Sequence, residues 1–315
     1  MRRSRAIIGA MRQLLLWMAR NRLLKRWLPR IWFVRRAVRR FMPGETVEEA
    51  LDAAEFFRPH GIGILFTQLG ENLTELAEAE AVADHYHALL DMIAARGMDA
   101  EISVKPTQLG LDLDRDAAER LLSGLADHAA QRNRLVWLDM EGSAYTDPTL
   151  DLYRSLKEKH PNIGICLQAY LRRTPADVHA LLSLKPAIRL VKGAYDEPAS
   201  IAFRRRDEVS AAFQSLCVLM LPYAVKGELR LGMGTHDTKL IERVAAHAEA
   251  VGFAKDAFEV EMLYGIRQKE QLRLASEGYR VLALIAYGEA WYAWYIRRLA
   301  ERPANVWFAL RQIFG

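Results

Sequence analysis

The sequence predicts an α/β fold, a TIM-like (β/α)8 barrel with additional N-terminal helices. From about residue 46, eight short β-rich runs alternate with loops and amphipathic helical patterns. Strands that alternate with helices imply right-handed βαβ crossovers and a parallel sheet. Eight such units over about 250 residues fit one closed barrel. A doubly wound open sheet is the alternative, but the GxGxxG motif expected after its first strand is missing.

The predicted strands are short apolar runs, each followed by a loop and a helical pattern. They are Ile62–Phe66, Ala100–Val104, Arg134–Leu138, Asn162–Leu167, Ala187–Val191, Leu229–Met233, Ala257–Met262 and Arg280–Ile285. No low-complexity tract or linker follows residue 45. We therefore expect two regions: a basic N-terminal helical region over residues 1–44 and a catalytic barrel domain over residues 45–315.

Composition narrows the class of protein. The 315 residues are 51% hydrophobic, which is ample for a single core. Two cysteines, Cys166 and Cys217, are too few for a disulfide framework or a zinc site, so we expect a reducing compartment. The sequence has no CxxC, HExxH or Walker-type glycine loop. These observations predict a cytoplasmic protein without a metal site.

Basic charge is concentrated at the N-terminus. Residues 1–40 carry 13 Lys and Arg and no acidic residue, whereas the remainder carries 31 basic and 39 acidic residues. The apolar runs in this arm are far shorter than the roughly 20 residues that a spanning helix requires. Three interpretations stay open: a helical cap packed on the barrel, a helix at an anionic membrane surface, or an Arg-rich transit peptide. Because the body of the chain is acidic, nucleic-acid binding is not expected.

Polar residues gather at the carboxyl ends of the predicted strands, where (β/α)8 barrels have their active sites. In chain order they include Glu71, Lys105, Asp139, Glu141, Gln168, Lys192, Tyr195, Thr235, His236, Asp237, Glu259, Glu261 and Tyr287. Each alone is typical of an ordinary loop, but their occurrence at nearly every strand favours a site. Arg189 lies inside an apolar run, and a charge there requires a partner or an anionic or electron-rich ligand.

Two adjacent arginines, Arg297 and Arg298, lie in an apolar and aromatic segment near the C-terminus. At helical spacing Glu301 shares their face and can hold both guanidinium groups. A fixed guanidinium pair suits bidentate capture of a small carboxylate, which predicts an acidic metabolite or an amino acid as substrate. For this segment taken alone, a surface helix with local ion pairs is the alternative.

Several of these runs together resemble the motif series of the FAD-dependent proline dehydrogenases of the short bacterial monofunctional type. The runs are Ile102–Lys105, Leu138–Glu141, Leu167–Tyr170, Arg189–Tyr195, Thr235–Asp237, Met262–Gly265 and Tyr295–Glu301, in the family's order over about residues 43–312. The RLVKGAY and YxRRxxE runs are the most specific. The N-terminal helices, through Gly44–Thr46, also resemble those of the short members, which favours a packed helical region over a transit peptide.

The resemblance implies FAD across the carboxyl ends of the strands. It implies oxidation of L-proline to 1-pyrroline-5-carboxylate, with a quinone as the electron acceptor. Arg297 and Arg298 would clamp the substrate carboxylate with help from Lys105, while Asp139 and Glu301 would hold this basic cluster in place. The residues implied to contact the cofactor are Gln168, Arg189, Lys192, Gly193, Ala194, Tyr195, Thr235, His236 and Glu259. A fixed positive charge at Arg189 beside the flavin ring would stabilise the reduced flavin.

The chain departs from the family pattern around its eighth strand. Leu284 stands where the family usually has a tyrosine that packs on the substrate ring, and Ala286 stands where it has a proline. Thr67 also replaces an acidic residue that is common in the bacterial members. Because leucine keeps an apolar wall but lacks the hydroxyl, we expect a roomier pocket. The substrate expected is therefore proline, with hydroxyproline or another cyclic imino acid as the alternative.

Two other functions are alternatives. One is a cofactor-free lyase that forms a Schiff base at Lys105 or Lys192, which requires a desolvated lysine. The other is a non-catalytic relative with a membrane-surface or regulatory role. For location, a peripheral contact of the basic arm with the inner face of the membrane is an alternative to a purely cytoplasmic protein.

Overall fold

The structure is a computed structural model that describes residues 21, 27, 38, 41–70, 73–292 and 295–296. Eight parallel strands follow one another in sequence order and close into a barrel, with β8 beside β1. They are β1 (Gly63–Gln68), β2 (Ala100–Val104), β3 (Val136–Leu138), β4 (Ile163–Gln168), β5 (Ala187–Val191), β6 (Arg230–Gly234), β7 (Glu259–Leu263) and β8 (Arg280–Tyr287). This arrangement confirms the predicted (β/α)8 fold.

Helices cover the outer surface of the barrel. Within the described residues they are α1 (Val47–Ala54), α2 (Leu76–Ala95), α3 (Arg115–Ala130), α4 (Thr146–Lys159), α5 (Thr174–Leu181), α6 (Arg206–Val225), α7 (Thr238–Ala250) and α8 (Gln268–Ser276). The Thr46 side chain accepts a hydrogen bond from the backbone N–H of Glu49, and the Glu49 side chain caps Thr46 in return. This capping box fixes the start of α1.

Observed and predicted strands differ by at most two residues at either end. The bounds of β2 and β5 are as predicted. The other strands except β3 continue one or two residues further towards their carboxyl ends, because the backbone ladder persists through residues whose side chains are polar or small. For example, Thr67 and Gln68 pair with Ala286 and Tyr287. Polar residues at the carboxyl edge, such as Thr67 and Gln68, are therefore part of the strands and are held by the hydrogen bonds of the sheet.

Residues just before α1 pack against the helical turn that follows β8. Val38 and Met42 are buried. The ring of Phe41 lies 5.8 Å from that of Tyr295, and the indole Nε1 of Trp291 donates a 2.9 Å hydrogen bond to Glu45. The end of the N-terminal region therefore contacts the segment that leads into Arg297 and Arg298.

Helix α6 is the only described helix whose length and composition would allow it to cross a membrane, with a mean hydropathy of 1.4. Its apolar residues Phe213, Leu216 and Met220 are buried in the core that surrounds the barrel. The strands on either side of it, β5 and β6, pair with each other. Its buried face thus packs on the sheet, and 28% of the apolar window is buried in this way.

Side chains fill the half of the barrel interior that lies towards the amino ends of the strands. Leu65, Trp137, Ala187 and Leu282 form one apolar cluster, and Leu284 packs against it from the carboxyl side. These residues come from β1, β3, β5 and β8. The cluster closes the interior beneath the polar residues of the carboxyl end.

Candidate active site

Arg189 lies at the centre of the barrel. It is the middle residue of β5 and pairs with Cys166 on one side and Gly232 on the other. Its guanidinium donates to Asp139 and to the Ser103 hydroxyl at 2.7 Å, and the residue is only 2% exposed. A buried charge of this kind is stable only with such partners.

A charged residue inside an apolar strand was expected to have a partner or a ligand. The structure shows that the partners of Arg189 are two carboxylates of the same chain. Asp139 follows β3, and Glu261 is the third residue of β7, with its Oε2 3.5 Å from Nη1 of Arg189. Burial lowers the pKa of Arg189, but these two carboxylates outweigh it and raise the pKa above its usual value. The guanidinium therefore stays charged.

Glu261 has an unusual environment for an acid. It is 3% exposed, its Oε1 has no hydrogen-bond partner among the described residues, and its contact with Arg189 is long. Burial raises the pKa of Glu261 to about 7, although the positive charge of Arg189 opposes the shift. This carboxyl group consequently titrates near neutral pH.

Lys105 and Glu141 lie at the carboxyl ends of β2 and β3. Lys105 is half-buried and directly follows its strand. Burial raises the pKa of Glu141, while hydrogen bonds from Thr107 and the charge of Lys105 oppose the shift. The Thr107 hydroxyl lies 2.8 Å from each carboxylate oxygen of Glu141. Lys105 thus stands at a rim that also carries Asp139.

Gln168 is the last residue of β4, and only the nitrogen of its side-chain amide has hydrogen-bond partners among the described residues. Its Nε2 donates to the backbone carbonyls of Met140 and Glu141 at 3.3 and 3.2 Å. Its Oε1 is buried and has no partner in the described part of the chain. Since buried amide oxygens are normally hydrogen-bonded, this oxygen has an acceptor capacity that the described residues do not use.

The loop after β5 comes close to the neighbouring strand end. Gly193 has a φ of +104°, and a Cβ there would overlap the ring of Tyr170. Only glycine fits this combination of left-handed backbone and close contact. Ala194 and Tyr195 follow it and are half-buried. The glycine therefore lets the loop pack directly on the ring of Tyr170, two residues after Gln168.

Lys192 and the turn after β6 form a polar group at the next strand ends. Lys192 Nζ lies 2.9 Å from Asp237 and 3.0 Å from the Ser210 hydroxyl. The Thr235 hydroxyl accepts from the backbone N–H of Asp237, and His236 Nε2 accepts from the N–H of Leu263 at 2.9 Å. Asp237 also caps α7. These residues lie at a helix N-terminus, where backbone donors favour an anion.

Leu284 faces the barrel interior and is only partly buried. Its strand partners are Leu65 on β1 and Leu263 on β7. The next residue on the same face, Ala286, pairs with the buried Thr67. This side of the interior is therefore apolar and lined by small or branched side chains.

One predicted site residue lies at the opposite end of the barrel. Glu259 is the first residue of β7, and its carboxylate pairs with Arg230 at 2.8 Å and Arg280 at 3.0 Å. Glu259 and Glu261 share a face, but two residues along a strand separate them by about 7 Å. The prediction that Glu259 lies at the carboxyl edge beside a cofactor is wrong for this reason.

Other predicted residues lie outside the described part of the chain. They are Arg297, Arg298 and Glu301, together with Glu71. Ser103 and Trp137, which were not among the predicted site residues, also contact Arg189. Ser103 precedes Lys105 by two residues and therefore shares its strand face, which was the available signal. No group of three or more His, Cys, Asp or Glu suited to a metal ion occurs among the described residues.

A closed (β/α)8 barrel with a buried ion-pair cluster and polar residues at its carboxyl end has the organisation of a barrel enzyme. A model of the family described as "Proline dehydrogenase" matches residues 50–311. The chain belongs to this family, and it is an oxidoreductase.

Similar proteins agree with this assignment. Proline dehydrogenase 1 of Bacillus subtilis (strain 168) is 35% identical over 307 residues, covering 96% of this chain and 99% of the relative. A proline dehydrogenase of Deinococcus radiodurans is 35% identical over 277 residues, covering 86% and 88% of the two chains. The fold also matches proline utilization A of Bdellovibrio bacteriovorus, inactivated by N-propargylglycine. That match has a TM-score of 0.79 and 22% identity, and covers 86% of this chain and 33% of the other.

Proposed function

We propose that this chain catalyses the FAD-dependent oxidation of L-proline to 1-pyrroline-5-carboxylate and passes the electrons to a quinone. Its family and its relatives' names support proline as the substrate. The observation that carries the proposal is the buried, permanently charged Arg189 beneath the carboxyl edge of the barrel. When bound, FAD supplies the two-electron acceptor that the side chains of the protein lack.

The residues at the carboxyl edge fit such a cofactor. The unpartnered Oε1 of Gln168 would meet the flavin ring. Gly193 would meet it through its backbone, since the ring of Tyr170 fills the side-chain direction of this glycine. Ala194 and Tyr195 continue that backbone, and Lys192 would add a positive charge. Thr235 and His236, at the start of α7, would meet the phosphates and the adenosine.

Substrate binding is assigned to three basic residues, of which Lys105 lies at the carboxyl end of β2. Arg297 and Arg298 would clamp the substrate carboxylate, and Lys105 would assist them. Asp139 holds Arg189 and would also orient this cluster, with Glu301 beside the arginine pair. Leu284 would provide the apolar wall for the substrate ring.

Substitution of Arg189 tests the cofactor role. We expect Arg189→Ala to lower flavin occupancy or the rate of flavin reduction, because it removes the fixed positive charge next to the ring. Arg134→Ala is the matched control, since Arg134 is only partly buried and pairs with the exposed Asp99 at the amino end of the barrel. Equal flavin content and reduction rates in both variants would refute the assigned role.

Hydroxyproline is the second candidate substrate, and Leu284 favours it. A leucine wall next to Ala286 leaves space where the family usually has a tyrosine. A substituent on the five-membered ring could occupy that space. A lyase acting through Lys192 is disfavoured, because Lys192 pairs with Asp237 at 2.9 Å and is not in the apolar surroundings that a Schiff-base lysine requires.

The quinone acceptor implies access to a membrane. The basic arm over residues 1–40, with 13 uncompensated positive charges, would supply this contact at the cytoplasmic face. Co-sedimentation with anionic liposomes tests the proposal, and binding should weaken as salt screens the charges. Protein that stays in the supernatant at low salt would favour an arm packed on the barrel.

A further inference from the structure

Charged groups inside the barrel are not balanced. The described interior and its amino-end rim hold four carboxylates in contact with three guanidinium groups. The acids are Glu101, Asp139, Glu259 and Glu261, and the bases are Arg189, Arg230 and Arg280. The contacts divide these groups into two sets: Arg230 and Arg280 balance Glu101 and Glu259, whereas Arg189 alone faces Asp139 and Glu261. With every group ionised, the Arg189 set carries one excess negative charge. Since an unpaired buried charge is costly, one proton on one of its two acids would neutralise this set.

The contacts single out Glu261 as the acid that holds this proton. Glu101 receives Arg230 at 2.6 Å and the indole N–H of Trp137 at 2.8 Å. Glu259 receives two short contacts from Arg230. Glu261 has only the 3.5 Å contact with Arg189, and its Oε1 has no partner among the described residues. It is therefore the carboxylate whose negative charge is stabilised least.

The surroundings of Glu261 leave Arg189 as its nearest compensating charge. The charged or titratable groups that face it are Arg189 on β5, Arg230 on β6, Glu259 on its own strand and Glu101 on β2, with Asp139 and Cys166 on the far side of Arg189. Strands β1 and β8 present Leu65 and Leu282, which carry no charge. Protonation of Glu261 thus removes the negative charge on one side of Arg189, while Asp139 on the other side is unchanged.

We propose that Glu261 is a positioning residue that holds an exchangeable proton beside Arg189, taken up when negative charge arrives at the carboxyl end of the barrel. This inference rests on the proposed function, because the arriving charge is that of the reduced cofactor. With FAD bound, hydride transfer from the substrate carbon would supply two electrons and one proton to the cofactor, and the substrate nitrogen would release its proton to solvent. The Glu261 carboxylate then takes one proton from solvent, so Arg189 keeps its full positive charge available to the flavin.

Infrared spectroscopy tests the proton without any cofactor or substrate. The carbonyl stretch of a protonated carboxyl group should be present in the native protein at about pH 6 and should fade through about pH 7. The band should be missing in Glu261→Gln and should persist in Glu119→Gln, an acid on helix α3 outside the barrel that accepts from Ser155 and Lys159. A native spectrum without a titrating band overturns the proposal, even if the Gln variant does not fold.

Proton uptake during chemical reduction tests the link to the cofactor. The flavin-loaded protein is reduced with dithionite in weak buffer at about pH 8, where Glu261 is mainly ionised. Native protein should take up close to one more proton per two electrons than Glu261→Gln, and Glu119→Gln, a change on helix α3 outside the barrel, should behave like native. Equal uptake in native protein and Glu261→Gln overturns the proposal. Dithionite reduces the flavin without proline, so a protein that fails to oxidise proline would refute the proposed function but not the role of Glu261. If the protein does not bind flavin, the infrared measurement still tests whether Glu261 holds a proton.

Discussion

Glu261 reaches Arg189 across an intervening strand, with Oε2 3.5 Å from Nη1. Strand β6 lies between β5 and β7, and the β6 residue that pairs with Arg189 is Gly232. A Cβ at this position would overlap Oε1 of Glu261. A missing side chain on one strand therefore makes the ion pair between its two neighbours possible.

Substituting Gly232 should separate this pair. We expect Gly232→Ala to cost about 1–3 kcal/mol of unfolding free energy, the usual range for overpacking a core. Glu261→Ala removes the atoms that clash, so the double variant should be more stable than the sum of the two single losses predicts. Urea unfolding of the four proteins measures this coupling. Losses that add within about 0.5 kcal/mol would show that residues 232 and 261 do not interact.

Stability should depend on pH through Glu261. Its pKa is raised from 4.5 to about 7 in the folded chain, so the unfolded state loses this proton first as pH rises. The contribution of Glu261 is therefore greatest below about pH 4.5 and is lost as pH rises to about 7, by up to about 3 kcal/mol. Urea unfolding of native protein and Glu261→Gln from about pH 5 to 8 measures the difference. A constant difference across this range would contradict the raised pKa.

The sequence predicted the architecture well because strand and helix periods are local properties. Two strands have the predicted bounds, and Arg189 inside an apolar run correctly indicated a need for partners. Those partners are separated from it by 50 and 72 residues in the chain, and only barrel closure brings Asp139 and Glu261 to it. Such distant contacts have no local sequence signal.

The sequence predicts which face of a strand a residue lies on more reliably than how far along the barrel axis it lies. Glu259 and Glu261 point the same way, yet one pairs with Arg230 at the amino end and the other with Arg189 at the centre. Sequence alternation identifies the face, whereas depth requires the register between strands. The register places Gly232 beside Glu259, two residue pairs before Gly234 meets Glu261.

The arginine pair should act on the substrate and not on the cofactor. We expect Arg297→Ala and Arg298→Ala each to weaken substrate capture by about 2–4 kcal/mol, the range for truncating one member of a buried charge pair. Flavin content should be unchanged. Steady-state kinetics and flavin absorbance of the purified variants measure both quantities. Parallel loss of flavin and activity would mean that these residues hold the cofactor.

The leucine at position 284 should alter the choice of substrate. Leu284→Tyr restores a ring and a hydroxyl to a wall that is now apolar and only partly buried. We expect the ratio of kcat/KM for trans-4-hydroxyproline to that for proline to be higher in native protein than in this variant, because a smaller wall discriminates less against a substituted ring. Kinetics of both proteins on both substrates measure the ratio. An unchanged ratio would show that residue 284 does not touch the substrate ring.

The central proposal is that this barrel binds FAD and reduces it with proline. The most direct measurement is the visible absorbance of the purified protein under anaerobic conditions, before and after addition of L-proline. We predict a bound-flavin spectrum that bleaches when L-proline is added and does not bleach with buffer alone. A protein that remains colourless after incubation with excess FAD would contradict the account, as would a bound flavin that neither L-proline nor hydroxyproline reduces.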